Sequence, residues 1–108
     1  MSLSTHVLDC VSGGPAVGVA VTVERRIDEE WQQLGSGATD ADGRIGALVE
    51  LSAGTHRMTF DSGGYFHARD VETFYPQVVV VFDVTDPKQH HHVPLLLSPF
   101  SYSTYRGS

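Results

Sequence analysis

The chain of 108 residues has a single cysteine, Cys10, which excludes an internal disulfide and fits a reducing compartment. It has no apolar run near the ~20 residues of a membrane-spanning helix. Its N-terminus lacks the basic segment and long apolar core of a secretory signal, and Arg-Gly-Ser at its other end is not a Ser-Lys-Leu address. These features together lead us to expect a cytoplasmic protein without a membrane partner. Basic residues are also scarce, with seven Lys+Arg against thirteen Asp+Glu and a formal net charge of -6. The arginines are scattered rather than gathered in a stripe, which argues against nucleic acid. There is no low-complexity segment and no solenoid-length repeat. At this length one domain, residues 1–108, is expected.

What the chain does have is a succession of short apolar runs separated by turn residues, the pattern of an all-β sandwich. The clearest run is Gly18–Arg26, where Val17, Val19, Val21 and Val23 share one parity and Gly18, Ala20, Thr22 and Glu24 the other. Further strands are expected at Leu3–Asp9, Trp31–Ser36, Ile45–Leu51, Thr55–Phe60, Gln77–Val84, Val93–Leu97 and Phe100–Tyr105. The apolar Gln77–Val84 run reads as covered on both faces. Asp40-Ala41-Asp42-Gly43 reads as a tight turn, with aspartate bonding to backbone N–H groups and Gly43 at positive φ. A calcium loop would need more oxygen ligands and a distal glutamate, which the spacing does not supply. The one short helix is expected at Tyr65–Val71, capped by an Asp or Ser ahead of it.

The functional signal lies in residues 90–108, HHHVPLLLSPFSYSTYRGS. Strand parity places His90, His92, Pro94 and Leu96 on one face, and His91, Val93, Leu95 and Leu97 on the core face. The run His-Val-Pro-Leu-Leu-Leu-Ser-Pro followed by Tyr-Arg-Gly-Ser resembles the transthyretin-like 5-hydroxyisourate hydrolases. Ser4-Thr5-His6-Val7-Leu8-Asp9 looks like that family's opening strand, and Thr39-Asp40-Ala41-Asp42-Gly43-Arg44 like its arginine-bearing turn. The similarity spans roughly Leu3 to Ser108.

The resemblance implies a sandwich of two antiparallel sheets with one short helix. It also implies a homotetramer, a dimer of dimers, with active sites at the dimer–dimer interface. The implied reaction converts 5-hydroxyisourate to 2-oxo-4-hydroxy-4-carboxy-5-ureidoimidazoline in urate degradation, without a cofactor or metal. The implied catalytic residues are His6, Arg44, His92 and Ser108. Substrate binding falls to His6, Arg44, Tyr105, Arg106, Gly107 and Ser108.

These residue types suit the hydrolysis of a cyclic amide-like C–N bond. An imidazole near its pKa can take a proton from attacking water, and a guanidinium can hold the oxyanion and pair with adjacent polar edges. Ser108 would fix water or substrate through its hydroxyl and its carboxylate. Either histidine could be the primary base.

Taken singly, each residue has an ordinary explanation. His6 could be a strand-end cap, Arg44 a solvated turn residue and Arg106 part of a disordered tail. It is the joint pattern that favours an enzyme. His90 and His92 could ligate a metal with His6, but no cysteine or carboxylate completes a recognisable set. His56 and His67 read as surface or sheet-edge residues. The family commonly has His-Tyr-His where this chain has His90-His91-His92, and His91 is expected near the strand's wet end. The alternatives are a transthyretin-like small-ligand carrier without catalysis and a structural adhesion module.

Overall fold

The computed structural model describes residues 2–108, so Met1 of the expected domain lies outside the described residues. In chain order the elements are β1 (Ser2–Asp9), β2 (Gly14–Pro15), β3 (Ala20–Ile27), β4 (Glu30–Ala38), β5 (Arg44–Glu50), β6 (Gly54–Phe60), α1 (Ser62–His67), β7 (Val78–Val84), β8 (His91–Leu97) and β9 (Tyr102–Thr104). They form two packed sheets. One runs β2-β1-β8-β9, with β5 also pairing to β1, and the other runs β4-β3-β6-β7.

Period-two alternation builds the core between them. Leu3, Val7, Val93, Leu95 and Leu97 face inward from the first sheet, and Val21, Val23, Met58, Phe60 and Val78 from the second. Val17 precedes β3 and is exposed, while Val19, Val21 and Val23 are buried as their parity requires.

Several expectations are corrected. The pairing is not wholly antiparallel, because β1 runs parallel to β8 along the register Leu3↔His91 to Asp9↔Leu97. A parallel pair needs a long crossover, and here the entire second sheet and the helix intervene. The helix starts at Ser62 rather than Tyr65, because the Asp61 carboxylate already accepts from the Gly64 N–H at 3.0 Å. It ends early, with Asp70 in the left-handed region at φ 56 and Val71 N–H bonding to Phe66 O. β7 lies at a sheet edge and is covered on one face only, with Val79 and Val81 exposed.

His56 is fully buried and stacks on Phe82, because β6 points it into the sandwich. Burial lowers its pKa first, while its bond to Gly54 O opposes this. His91 is buried too, with Nδ1 2.9 Å from Gln89 O, so it belongs to the core margin rather than the strand's wet end. His67 is exposed as expected.

Candidate active site

The site is built on the outer face of the first sheet, where three strands bring distant residues into adjacent rows. His6 on β1 is paired with Arg44 on β5 and with Pro94 on β8. One row over, Ser4 is paired with His92. Directly paired residues point to the same side of a sheet, so His6, Arg44, Ser4 and His92 share the face that the core does not use.

Arg44 owes its place to the preceding turn. The Asp40 carboxylate accepts from Asp42 N–H at 2.9 Å and Arg44 N–H at 3.0 Å, and Gly43 N–H bonds to Asp40 O at 2.9 Å. Those backbone donors, Arg44's first, hold the Asp40 carboxyl below its ordinary pKa. Gly43 is at φ 75 as expected, and its carbonyl accepts from Val7 N–H at 2.7 Å, pinning the turn to β1. His6 Nε2 lies 3.0 Å from Asp42 O, tying the imidazole to the same turn.

The tail completes the face. β9 pairs antiparallel with β8 through Leu97↔Tyr102 and Leu95↔Thr104, and the chain continues beyond Thr104 to bond Gly107 N–H to His92 O at 2.8 Å. Thr104 Oγ1 donates to Pro94 O at 2.7 Å. That carbonyl bond fastens the tail beside a proline that has no N–H of its own to offer.

A cavity of about 250 Å³ opens on this face, lined by Ser4, Arg44, His90, His92 and Ser108 among others. The structure therefore brings Arg44, His92 and Ser108 around one space. His6 stands beside Arg44 but does not line that cavity. Tyr105 and Arg106 border a different, apolar cavity of about 200 Å³ with Val80, Phe82 and His91, and His92 lies at the margin of both. Arg106 Nη2 donates to Gln89 Oε1 at 3.1 Å.

His92 is half-buried, and its pKa is pushed below the ordinary imidazole value. Burial is the largest cause, followed by the positive charges of Arg44 and of His90 and His6 when protonated. The contact with Ser4 works the other way. A neutral imidazole at physiological pH is the form that can accept a proton.

Two polar residues of this face have no role in the sequence reading. Ser4 appears there only as part of the opening strand, and His90 only as a possible metal ligand. In the structure Ser4 Oγ sits between them, 2.7 Å from His92 Nδ1 and 2.8 Å from His90 Nε2. Among the described residues no group of three His, Cys, Asp or Glu is placed to hold a metal ion. Outward parity at Ser4, two residues before His6, was the available signal, but its opposition to His92 depends on a register that no local pattern carries.

A family model described as HIUase/Transthyretin family matches residues 3–107. The 5-hydroxyisourate hydrolase of Salmonella typhimurium is 48% identical over 109 residues, covering 98% of this chain and 80% of that protein. The enzyme of the same name from Mus musculus is 45% identical, covering 98% and 94%. Among solved structures, Klebsiella pneumoniae 5-hydroxyisourate hydrolase superposes with a TM-score of 0.89 at 35% identity, covering both chains completely. Transthyretin from Sparus aurata superposes with a TM-score of 0.93 at 37% identity, covering 98% of this chain and 96% of that one. With near-complete coverage in both sequence and fold, the chain belongs to the HIUase/Transthyretin family.

Proposed function

We propose that this protein hydrolyses 5-hydroxyisourate, opening a cyclic C–N bond with water in the degradation of urate. The observation that carries the reading is the cavity shared by Arg44, His92 and Ser108, with the His92 imidazole held below its ordinary pKa by its surroundings. Its identity to the Salmonella and mouse hydrolases supports the same substrate.

In this reading His92 takes a proton from the attacking water as the new C–O bond forms. The carbonyl π electrons move onto oxygen, and the Arg44 guanidinium holds that charge. Collapse of the intermediate breaks the C–N bond, and the departing nitrogen receives a proton. His6, tied to the Asp42 carbonyl, binds and orients substrate next to Arg44. Ser108 fixes water or substrate through its hydroxyl. Gly107 contributes its close backbone path, and Tyr105 and Arg106 contribute by holding the tail against the strand entrance rather than by lining the same cavity.

The assembly we infer is a homotetramer, a dimer of dimers that packs these outer sheet faces together and encloses the sites between them, in the cytoplasm. Edge strands β7 and β9 supply unpaired backbone for the first association. A carrier function is the alternative, and the high TM-score to transthyretin is what favours it. Carriers of that kind lack the Tyr-Arg-Gly-Ser tail and the channel-facing histidines, whereas this chain has His6, His92 and residues Tyr105–Ser108.

The test follows the ultraviolet absorbance of freshly generated 5-hydroxyisourate with wild-type protein, with His92→Asn and with a chelator. Acceleration by wild type and a loss of about 10²-fold or more in His92→Asn are expected. Decay at the uncatalysed rate with wild type would leave the carrier reading.

A further inference from the structure

Ser4 is almost fully enclosed, at 8% exposure, while His90 is open to solvent. The Ser4 hydroxyl touches a ring nitrogen of both His90 and His92, and His90 Nδ1 lies 3.4 Å from Ser2 Oγ at the outer end. A serine hydroxyl has one proton. It can donate to at most one of the two imidazoles, so at least one of them must donate to it. The tautomers of His90 and His92 are therefore linked through Ser4.

Two arrangements place the Ser4 proton between the two rings. In the first, His92 carries its proton on Nδ1 and donates to Ser4 Oγ, and Ser4 donates to His90 Nε2. His92 Nε2 is then bare and free to act as a base. In the second, His90 Nε2–H donates to Ser4 and Ser4 donates to His92 Nδ1, so His92 carries its proton on Nε2 and is spent as a base.

We propose that Ser4 and His90 are positioning residues that form a proton relay, setting the working tautomer of His92 and carrying its charge to solvent. The proposal rests on the hydrolase reading above. As His92 Nε2 takes a proton from the attacking water, its Nδ1 proton passes to Ser4 Oγ. The original Ser4 proton passes to His90 Nε2, and His90 Nδ1 releases a proton to bulk water. One proton enters and one leaves, and Ser4 ends with one O–H as it began. Return of a proton by the same path restores the first arrangement. The physical advantage is that positive charge does not remain on half-buried His92, facing Arg44 on β5 and His6 on β1. It is discharged instead to bulk water from exposed His90, beyond the serine.

The test compares wild type, Ser4→Ala, Ser4→Thr and His90→Asn in steady-state hydrolysis of 5-hydroxyisourate across pH, with ¹⁵N NMR of the histidine rings. Ser4→Ala is expected to lower kcat roughly tenfold with KM little changed, and Ser4→Thr, which keeps the hydroxyl, to restore it. His90→Asn on the exposed side is expected to lower kcat without loss of fold, so it carries the test should Ser4→Ala fold poorly. In the spectra His92 is expected to carry its proton on Nδ1 in wild type and to lose that preference in Ser4→Ala. A wild-type kcat in both Ser4→Ala and His90→Asn, or an effect confined to KM, would overturn the relay. Should wild type prove inactive on this substrate, the hydrolase reading fails. The ring spectra then decide the relay separately, since a wild-type His92 with Nδ1 bare sinks it and an Nδ1–H that depends on the Ser4 hydroxyl sustains it.

Discussion

Gly107 lies directly against the His92 imidazole: a Cβ on residue 107 would stand 2.5 Å from His92 Cδ2 and 3.1 Å from Pro94 Cγ. The tail glycine is thus a steric requirement of the histidine's position. Gly107→Ala must move either the ring or the tail. Because a displacement of about 1 Å in a catalytic constellation can cost about 10²-fold, kcat/KM for 5-hydroxyisourate should fall by roughly that factor. The tail lies outside the core, so the melting temperature should change little. Steady-state kinetics and a thermal melt check both halves of this expectation.

Gly43 answers to two constraints at once. It sits at φ 75, and a Cβ there would come 2.5 Å from Val7 O. Gly43→Ala should destabilise the fold by at least ~1 kcal/mol from the backbone conformation alone, and more from the collision. Urea unfolding measures the loss. Activity measured well below the new midpoint should also drop, because the same turn sets Arg44 beside His6.

The acid limb of kcat/KM should lie below pH 6.5, the ordinary imidazole value, since burial and then Arg44 depress the His92 pKa. Removing the guanidinium with Arg44→Gln takes away a positive neighbour, so the limb should move up toward 6.5 while the rate falls. A limb at or above 6.5 in wild type would contradict this ordering of causes.

Tyr65 Oη donates to Asp9 Oδ2 at 2.7 Å, anchoring α1 to the end of β1. Burial first, and the Asp9 charge with it, push the tyrosine pKa up to about 12 from 10.0. A raised pKa means that the unfolded chain loses this proton first as the solution becomes alkaline. Stability from this contact is therefore complete below pH 10 and is lost between pH 10 and about 12. Tyr65→Phe should cost roughly 1–3 kcal/mol at neutral pH and should show a shallower alkaline decline in denaturant titrations.

Stability should also fall on the acid side through buried His56, whose pKa burial lowers. The unfolded chain gains the proton from about pH 6.5 downward while the native imidazole resists it. His56→Phe, which can keep the stack on Phe82, should lessen the decline in thermal midpoint as pH is lowered. An unchanged acid profile in that variant would exclude His56 as a contributor.

The alternation of Val19, Val21 and Val23, the Asp40–Gly43 turn and the parity of the His91–Leu97 strand were all legible in the chain, because each is a local rule of backbone geometry. The residues on which the proposed chemistry rests, His6, Arg44, His92 and Tyr105–Ser108, came from motif resemblance rather than from such rules. His56 and Val81 were not legible. Whether a strand residue is buried depends on which strand flanks it, and a run such as VVVVF reads alike at the centre and at the edge of a sheet.

The sequence by itself determined the strands, the turns and which side chains share a face, since these follow from bonds and contacts within a few residues. Only the tertiary structure decided that β1 lies parallel to β8, setting Ser4 opposite His92 and leading the tail back beneath the imidazole. Register between strands separated by most of the chain is set by the fit of two whole sheets around a common core. A shift of one residue would have turned His92 inward, and that choice is made by packing.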